Sequence, residues 1–183
     1  MASAPTHLVA TAAVATFFCR PRVPWPLWLL GAALAVAPDL DVIGFRFGVP
    51  YDSLLGHRGL THSLPFALAV SGLLTFSAYQ SGAGPLTWKQ VWLFLLLAMA
   101  LHGVLDAFTN GGLGIAFFAP LSSKRYFFPV RPLEVSPLSI TGFLTGRGLA
   151  ILASEVRWVW IPALALMAGV TWVRTRHSMS RAA

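Results

Sequence analysis

Polar and apolar positions alternate along this chain on the scale of whole membrane spans. Five apolar segments are separated by short polar or proline- and glycine-bearing breaks. The first runs from about Thr6 to Cys19 and is broken by Arg20-Pro21-Arg22-Val23-Pro24. The second runs from Trp25 to about Ile43, and the third from Leu60 to Tyr79. The turn Ser81-Gly82-Ala83-Gly84-Pro85 then leads to the fourth, Trp88 to Phe108, and the fifth covers Val156 to Val173. A helix needs about 20 apolar residues to cross a bilayer core. Segments three, four and five meet that length, whereas one and two are shorter and are expected to tilt or to start in the interface. The stretch between segments four and five is rich in Pro, Gly and aromatics. Its latter part, Ile140 to Glu155, predicts a short helix on or dipping into the membrane, since a long structureless loop is unusual.

The expected fold is therefore all-α: one domain over residues 1–183, a polytopic bundle of about five transmembrane helices plus a short interfacial helix. Composition agrees. The chain is 56% hydrophobic and only 10% charged, against about 25% charged in a soluble domain. Its net charge of +7 would suit nucleic acid if it were gathered on one element. The basic residues are instead scattered over loops and the C-terminal tail, where they set orientation and touch anionic headgroups. Nucleic acid is not an expected partner; membrane lipids are. The lone Cys19 excludes an internal disulfide and a thiolate cluster, and Thr16-Phe17-Phe18 ahead of it makes a poor lipoprotein signal. The first segment has no basic region before it and carries His7, so it reads as a retained helix.

Ionisable groups inside such segments are costly unless they face a cavity, a partner or a metal. His7 opens the first segment, Asp39 and Asp41 close the second, His57 and His62 precede or open the third, and His102 and Asp106 close the fourth. If the helices cross alternately, all seven fall on one membrane face. The apolar pattern alone did not require that coincidence. Histidine with carboxylate is the usual ligand set for zinc and related ions.

His102 and Asp106, four apart, share one helix face. They can reach one ion, or form a simple His–Asp pair. Asp39 and Asp41 repel each other unless a cation neutralises them, and they are the candidate water-activating carboxylates. Arg58 can fork to a substrate phosphate or snorkel to headgroups, and Arg125 is a second candidate phosphate contact. Glu155 is a further candidate ligand, with pairing to Arg157 or a headgroup as the simpler role. His177 lies in the basic tail and is set aside.

Seven basic residues fall on the site face and six on the other. The six, Arg20, Arg22, Lys89, Arg174, Arg176 and Arg181, sit beside helix ends, where the positive-inside rule applies best. This places the C-terminus in the cytoplasm and the site outside it.

The early His7, Pro38-Asp39-Leu40-Asp41, His57-Arg58-Gly59-Leu60-Thr61-His62-Ser63, His102 to Asp106 with Thr109-Asn110-Gly111-Gly112, and Tyr126-Phe127-Phe128-Pro129 together resemble the YdjM-like bacterial inner-membrane proteins, described as membrane-bound metal-dependent hydrolases. That family is similar in turn to zinc-dependent phospholipases C and single-strand nucleases. Their order of ligands is matched by His7, Asp41, His57, His102 and Asp106. Their second histidine with a glutamate four residues later is not reproduced, because Ile151 stands four before Glu155. The resemblance implies one or two zinc ions and hydrolysis of a phosphoester in a lipid or lipid-linked substrate. The rival is a metal-ion or proton transporter using the same cluster. A haem carrier is disfavoured by the aspartates, and the His-Glu-x-x-His signature of intramembrane zinc proteases is absent.

Overall fold

The computed structural model describes residues 1–18, 23–80, 85–137, 140–144 and 146–180. Cys19, Arg20, Arg22, Arg181 and the turn at 81–84 lie outside the described residues. All the regular elements described are helices: α1 (Ala4–Phe18), α2 (Trp25–Val36), α3 (Leu64–Gln80), α4 (Trp88–Ala107), α5 (Ile140–Phe143), α6 (Gly146–Glu155) and α7 (Ile161–Met179). The expected membrane helix bundle is what forms.

α4 is its axis. Thr87 accepts from the Gln90 amide and the Gln90 side chain answers the Thr87 amide, a reciprocal cap that starts the helix. Val91, Phe94, Leu95, Ala98 and Met99 form one buried stripe at helical spacing, packed against α1, α2 and α3. Close approach depends on small residues, as expected where lipid gives helices no hydrophobic drive to associate. A Cβ on Gly31 of α2 would collide with the Phe94 ring. α3 turns Ala67, Ser71 and Thr75 inward. Outward lie Leu29, Leu68, Leu73, Phe76, Leu164, Leu166 and Trp172, all exposed, as the lipid-facing side of such a bundle must be.

Three helices are long and apolar enough to cross a membrane: Trp25–Phe47, Trp88–Ala107 and Arg147–His177. This corrects two expected lengths. The second segment is long because α2 continues as a 3-10 helix, Ala37–Phe47. Pro38 has no amide hydrogen to give Leu34, so the α ladder cannot continue through it. The third segment is short because its first residues form a separate 3-10 turn, Leu60–His62, before α3 begins.

The expected separate interfacial helix is also corrected. α6 runs straight into α7 through a π turn, Val156–Trp160, with the Ile161 amide donating to the Val156 carbonyl. Pro162 explains the widened turn. It withholds an amide from the preceding turn, and a π bulge absorbs that loss without breaking the helix. Residues 108–137 are not a free loop either. Bridges Thr109 to Leu133 and Ile115 to Tyr126 fold them into a cap beside the ends of α1 and α4.

Candidate metal centre

The buried stripe of α4 changes character at its C-terminal end. After Met99 its next buried positions are His102, Gly103 and Asp106. Gly103 is needed there, because a Cβ would stand 2.7 Å from the His62 carbonyl. Facing this end is the 3-10 helix with the two aspartates. Residues two apart point about 160° apart on an α-helix but about 120° apart on a 3-10 helix, so the tightened winding lets both carboxylates address the same histidine.

Four side chains converge: Asp39, His62, His102 and Asp106 each offer an atom within 4.8 Å of the others. His102 Nε2 lies 3.1 Å from His62 Nε2. Asp39 Oδ1 is 3.3 Å from His102 Nε2 and 3.6 Å from His62 Nε2, and Asp106 Oδ2 is 3.9 Å from His62 Nε2. His102 Nδ1 is 2.8 Å from the Ala35 carbonyl, at the junction where the α ladder gives way. A carbonyl can only accept, so Nδ1 carries the hydrogen. His62 Nδ1 faces Thr61 Oγ1 at 3.0 Å and Asp41 Oδ2 at 3.3 Å, which favours the same tautomer. Two Nε2 lone pairs then face each other across carboxylate oxygens. Asp39 Oδ1 and Asp106 Oδ2 are buried without a hydrogen-bond partner. Such an arrangement of acceptors is repulsive unless a cation joins them. The donor set therefore fits a divalent metal.

A second group, Asp41, His57 and His62, also has metal-ligand spacing, but its atoms are already bonded. Asp41 Oδ1 meets His57 Nδ1 at 2.6 Å, and Oδ2 accepts from Thr61 Oγ1 at 2.9 Å and the Arg58 amide at 3.2 Å. The carboxylates of Asp39, Asp41 and Asp106 thus all lie 3.3–3.9 Å from the His62 ring nitrogens, a concentration of negative charge.

His7 joins the centre from α1. It stacks on His102 with ring centroids 3.9 Å apart, and its Nε2 lies 3.7 Å from Asp106 Oδ1. Neither of its ring nitrogens has a hydrogen-bond partner.

Arg58 is neither snorkelling nor at the surface. It is fully buried, with Nε 3.3 Å from Asp106 Oδ2, Nη1 donating to the Gly111 carbonyl at 2.7 Å and Nη2 to Thr109 Oγ1 at 3.0 Å. Its backbone is left-handed, φ 64°, a conformation that costs a non-glycine residue about 1–3 kcal/mol. Gly112 makes room for the guanidinium, where a Cβ would strike it.

Arg125, half-buried, holds the turn from outside. It reaches the carbonyls of His57, Arg58, Tyr51 and Ser53 at 3.1–3.3 Å. Glu155 contacts neither Arg157 nor the four-residue group. It is buried and accepts from the Ser3 amide, Ser3 Oγ and Thr6 Oγ1. Arg157 lies over the Trp158 ring instead. Ser3 and the Ala35 carbonyl carry no local sequence signal as partners of these buried groups.

The family model described as YdjM inner membrane protein matches residues 1–178. The inner membrane protein YbcI of Escherichia coli (strain K12) is 39% identical over 154 residues, covering 84% of this chain and 87% of that protein. No solved structure matches. With a match over nearly its whole length and a histidine–aspartate cluster able to hold a metal, the chain belongs to the YdjM inner membrane protein family.

Proposed function

We propose that this protein is a membrane-embedded metal-dependent hydrolase that cleaves a phosphoester in a lipid or lipid-linked substrate. The observation that carries the metal is the convergence of His62, His102, Asp39 and Asp106 with two buried carboxylate oxygens that receive no hydrogen bond. Charge supports a divalent ion, since three carboxylates, Asp39, Asp41 and Asp106, gather around His62 with one guanidinium, Arg58, against them. The Asp41–His57 pair is then a positioning element that orients His62, as carboxylates behind metal-ligating histidines commonly do.

Asp39, His62, His102 and Asp106 would hold a divalent ion, zinc by the donor set, which would supply Lewis acidity and bring the pKa of water towards neutrality. The chain's residues supply the rest. Asp39, whose side chain is the most exposed of the four at 12%, is placed to orient a water and take its proton. Arg58 offsets the carboxylates so that a phosphate can approach. Leu40, Ile43 and Phe47, on the same 3-10 helix as Asp39, are exposed apolar side chains, suited to an amphiphile arriving from the bilayer. With Arg174 and Arg176 in the cytoplasm by the positive-inside rule, the centre lies on the extracytoplasmic side.

A transport role would require available polar groups through the membrane depth, whereas the buried stripe of α4 is apolar from Val91 to Met99 and the inward hydroxyls of Ser71 and Thr75 are bonded to carbonyls of their own helix. The test is metal analysis of purified protein together with phosphate-ester release from defined phospholipid vesicles. One zinc per chain with metal-dependent release is expected. Metal-dependent ion flux in proteoliposomes without hydrolysis would overturn the reading.

A further inference from the structure

The first three residues enter the centre from the side opposite the 3-10 helix. Ala2 is fully buried, and its amide donates to Asp106 Oδ1 at 2.6 Å. The Met1 carbonyl accepts from the Ser136 amide of the cap at 2.9 Å. What holds this arm lies on a different helix, 152 residues away in sequence. Both oxygens of Glu155 are used on it: one accepts from the Ser3 amide, the other from Ser3 Oγ and, at 2.9 Å, from Thr6 Oγ1. Thr6 Oγ1 also accepts from Trp160 Nε1 at 2.7 Å, so the helix carrying the π turn is tied both to the arm and to the first turn of α1. A fully buried carboxylate is expensive. This one is matched by donors from the start of the chain and has no role within the four-residue group.

We infer that Glu155 is a positioning residue for the metal centre, latching residues 1–3 so that the Ala2 amide fixes the Asp106 carboxylate. With Oδ1 held by Ala2, the other oxygen, Oδ2, points to Arg58 and His62 and has no hydrogen bond of its own. The arm thus selects which oxygen of Asp106 is presented to the ion. This rests on the reading of Asp106 as a metal ligand given above, and it concerns how that ligand is oriented.

Cobalt(II) titration of the full chain in detergent tests it without reference to activity, because the visible absorption of cobalt reports its ligand geometry. Glu155→Ala is expected to bind cobalt about 10- to 100-fold more weakly, the range for loss of a residue behind a ligand. It is also expected to alter the visible spectrum and to speed hydrogen exchange at the Ala2 and Ser3 amides. Glu155→Gln, which keeps one acceptor oxygen, falls between. Trp160→Phe removes the neighbouring tie to Thr6 but leaves all three Glu155 bonds; it should lower thermal stability and leave the cobalt spectrum as in the wild type.

A folded Glu155→Ala with wild-type affinity and spectrum overturns the inference, as does a Trp160→Phe variant with the same spectral change. If Glu155→Ala does not fold, Glu155→Gln and Ser3→Ala carry the test, and unchanged affinity in both overturns it. Wild-type protein that takes up no cobalt removes the metal centre itself. Cobalt uptake without hydrolysis leaves this inference standing and refutes only the catalytic reading.

Discussion

His62 stands between two sets of similar residues that have been put to different use. On its Nε2 side, Asp39, His102 and Asp106 crowd acceptor against acceptor, with Asp39 Oδ1 and Asp106 Oδ2 receiving no hydrogen bond. On its Nδ1 side, Asp41, His57, Thr61 and the Arg58 amide satisfy one another with bonds of 2.6–3.2 Å. Residue type and spacing do not separate a binding group from a supporting one; the partner of each lone pair does.

The sharpest way to break this contrast is to remove an acceptor from the unsatisfied side. His102→Ala should abolish metal retention, a loss beyond the roughly 100-fold expected of a supporting residue, as read by elemental analysis after gel filtration. The comparison fails if that variant keeps its metal.

Arg58 belongs to both sides. Arg58→Met breaks a buried ion pair, and about 3–5 kcal/mol of stability should go with it, seen as a large fall in the detergent-solubilised unfolding temperature. On the satisfied side, Asp41→Asn should leave one metal per chain but weaken its affinity about 10- to 100-fold, measured by competition with a chelator. A complete loss would promote Asp41 to a ligand. Gly103→Ala pushes the His62 carbonyl away from α4 and should cost about 1–3 kcal/mol as overpacking, with metal affinity falling as His62 shifts. Leu164→Ala, on the exposed side of α7, should move stability by no more than about 0.5 kcal/mol and leave the metal untouched.

Much of the site was legible beforehand because burial of charge in an apolar chain is conspicuous. His7, Asp39, Asp41, His57, His62, His102 and Asp106 all gather at one end of the bundle, joined by the distances described above. Arg58 was harder to place. An arginine next to a span reads as snorkelling or as a phosphate clamp. Its burial depends on Thr109, Gly111 and Gly112, residues some fifty positions away that the cap folds beneath it. Glu155 was harder still, since its partners Ser3 and Thr6 carry no motif and lie at the other end of the chain.

By itself, the sequence determined that this is a helical membrane protein and which side chains could not be left in lipid, because both follow from hydropathy and the cost of unpaired charge. Only the tertiary structure decided the division of labour among those side chains. The 3-10 winding after Pro38, the left-handed backbone at Arg58 and the π turn before Pro162 each aim a side chain in a direction that residue spacing does not specify. Which lone pair finds a donor, and which is left for a cation, is set by contacts between segments far apart in the chain.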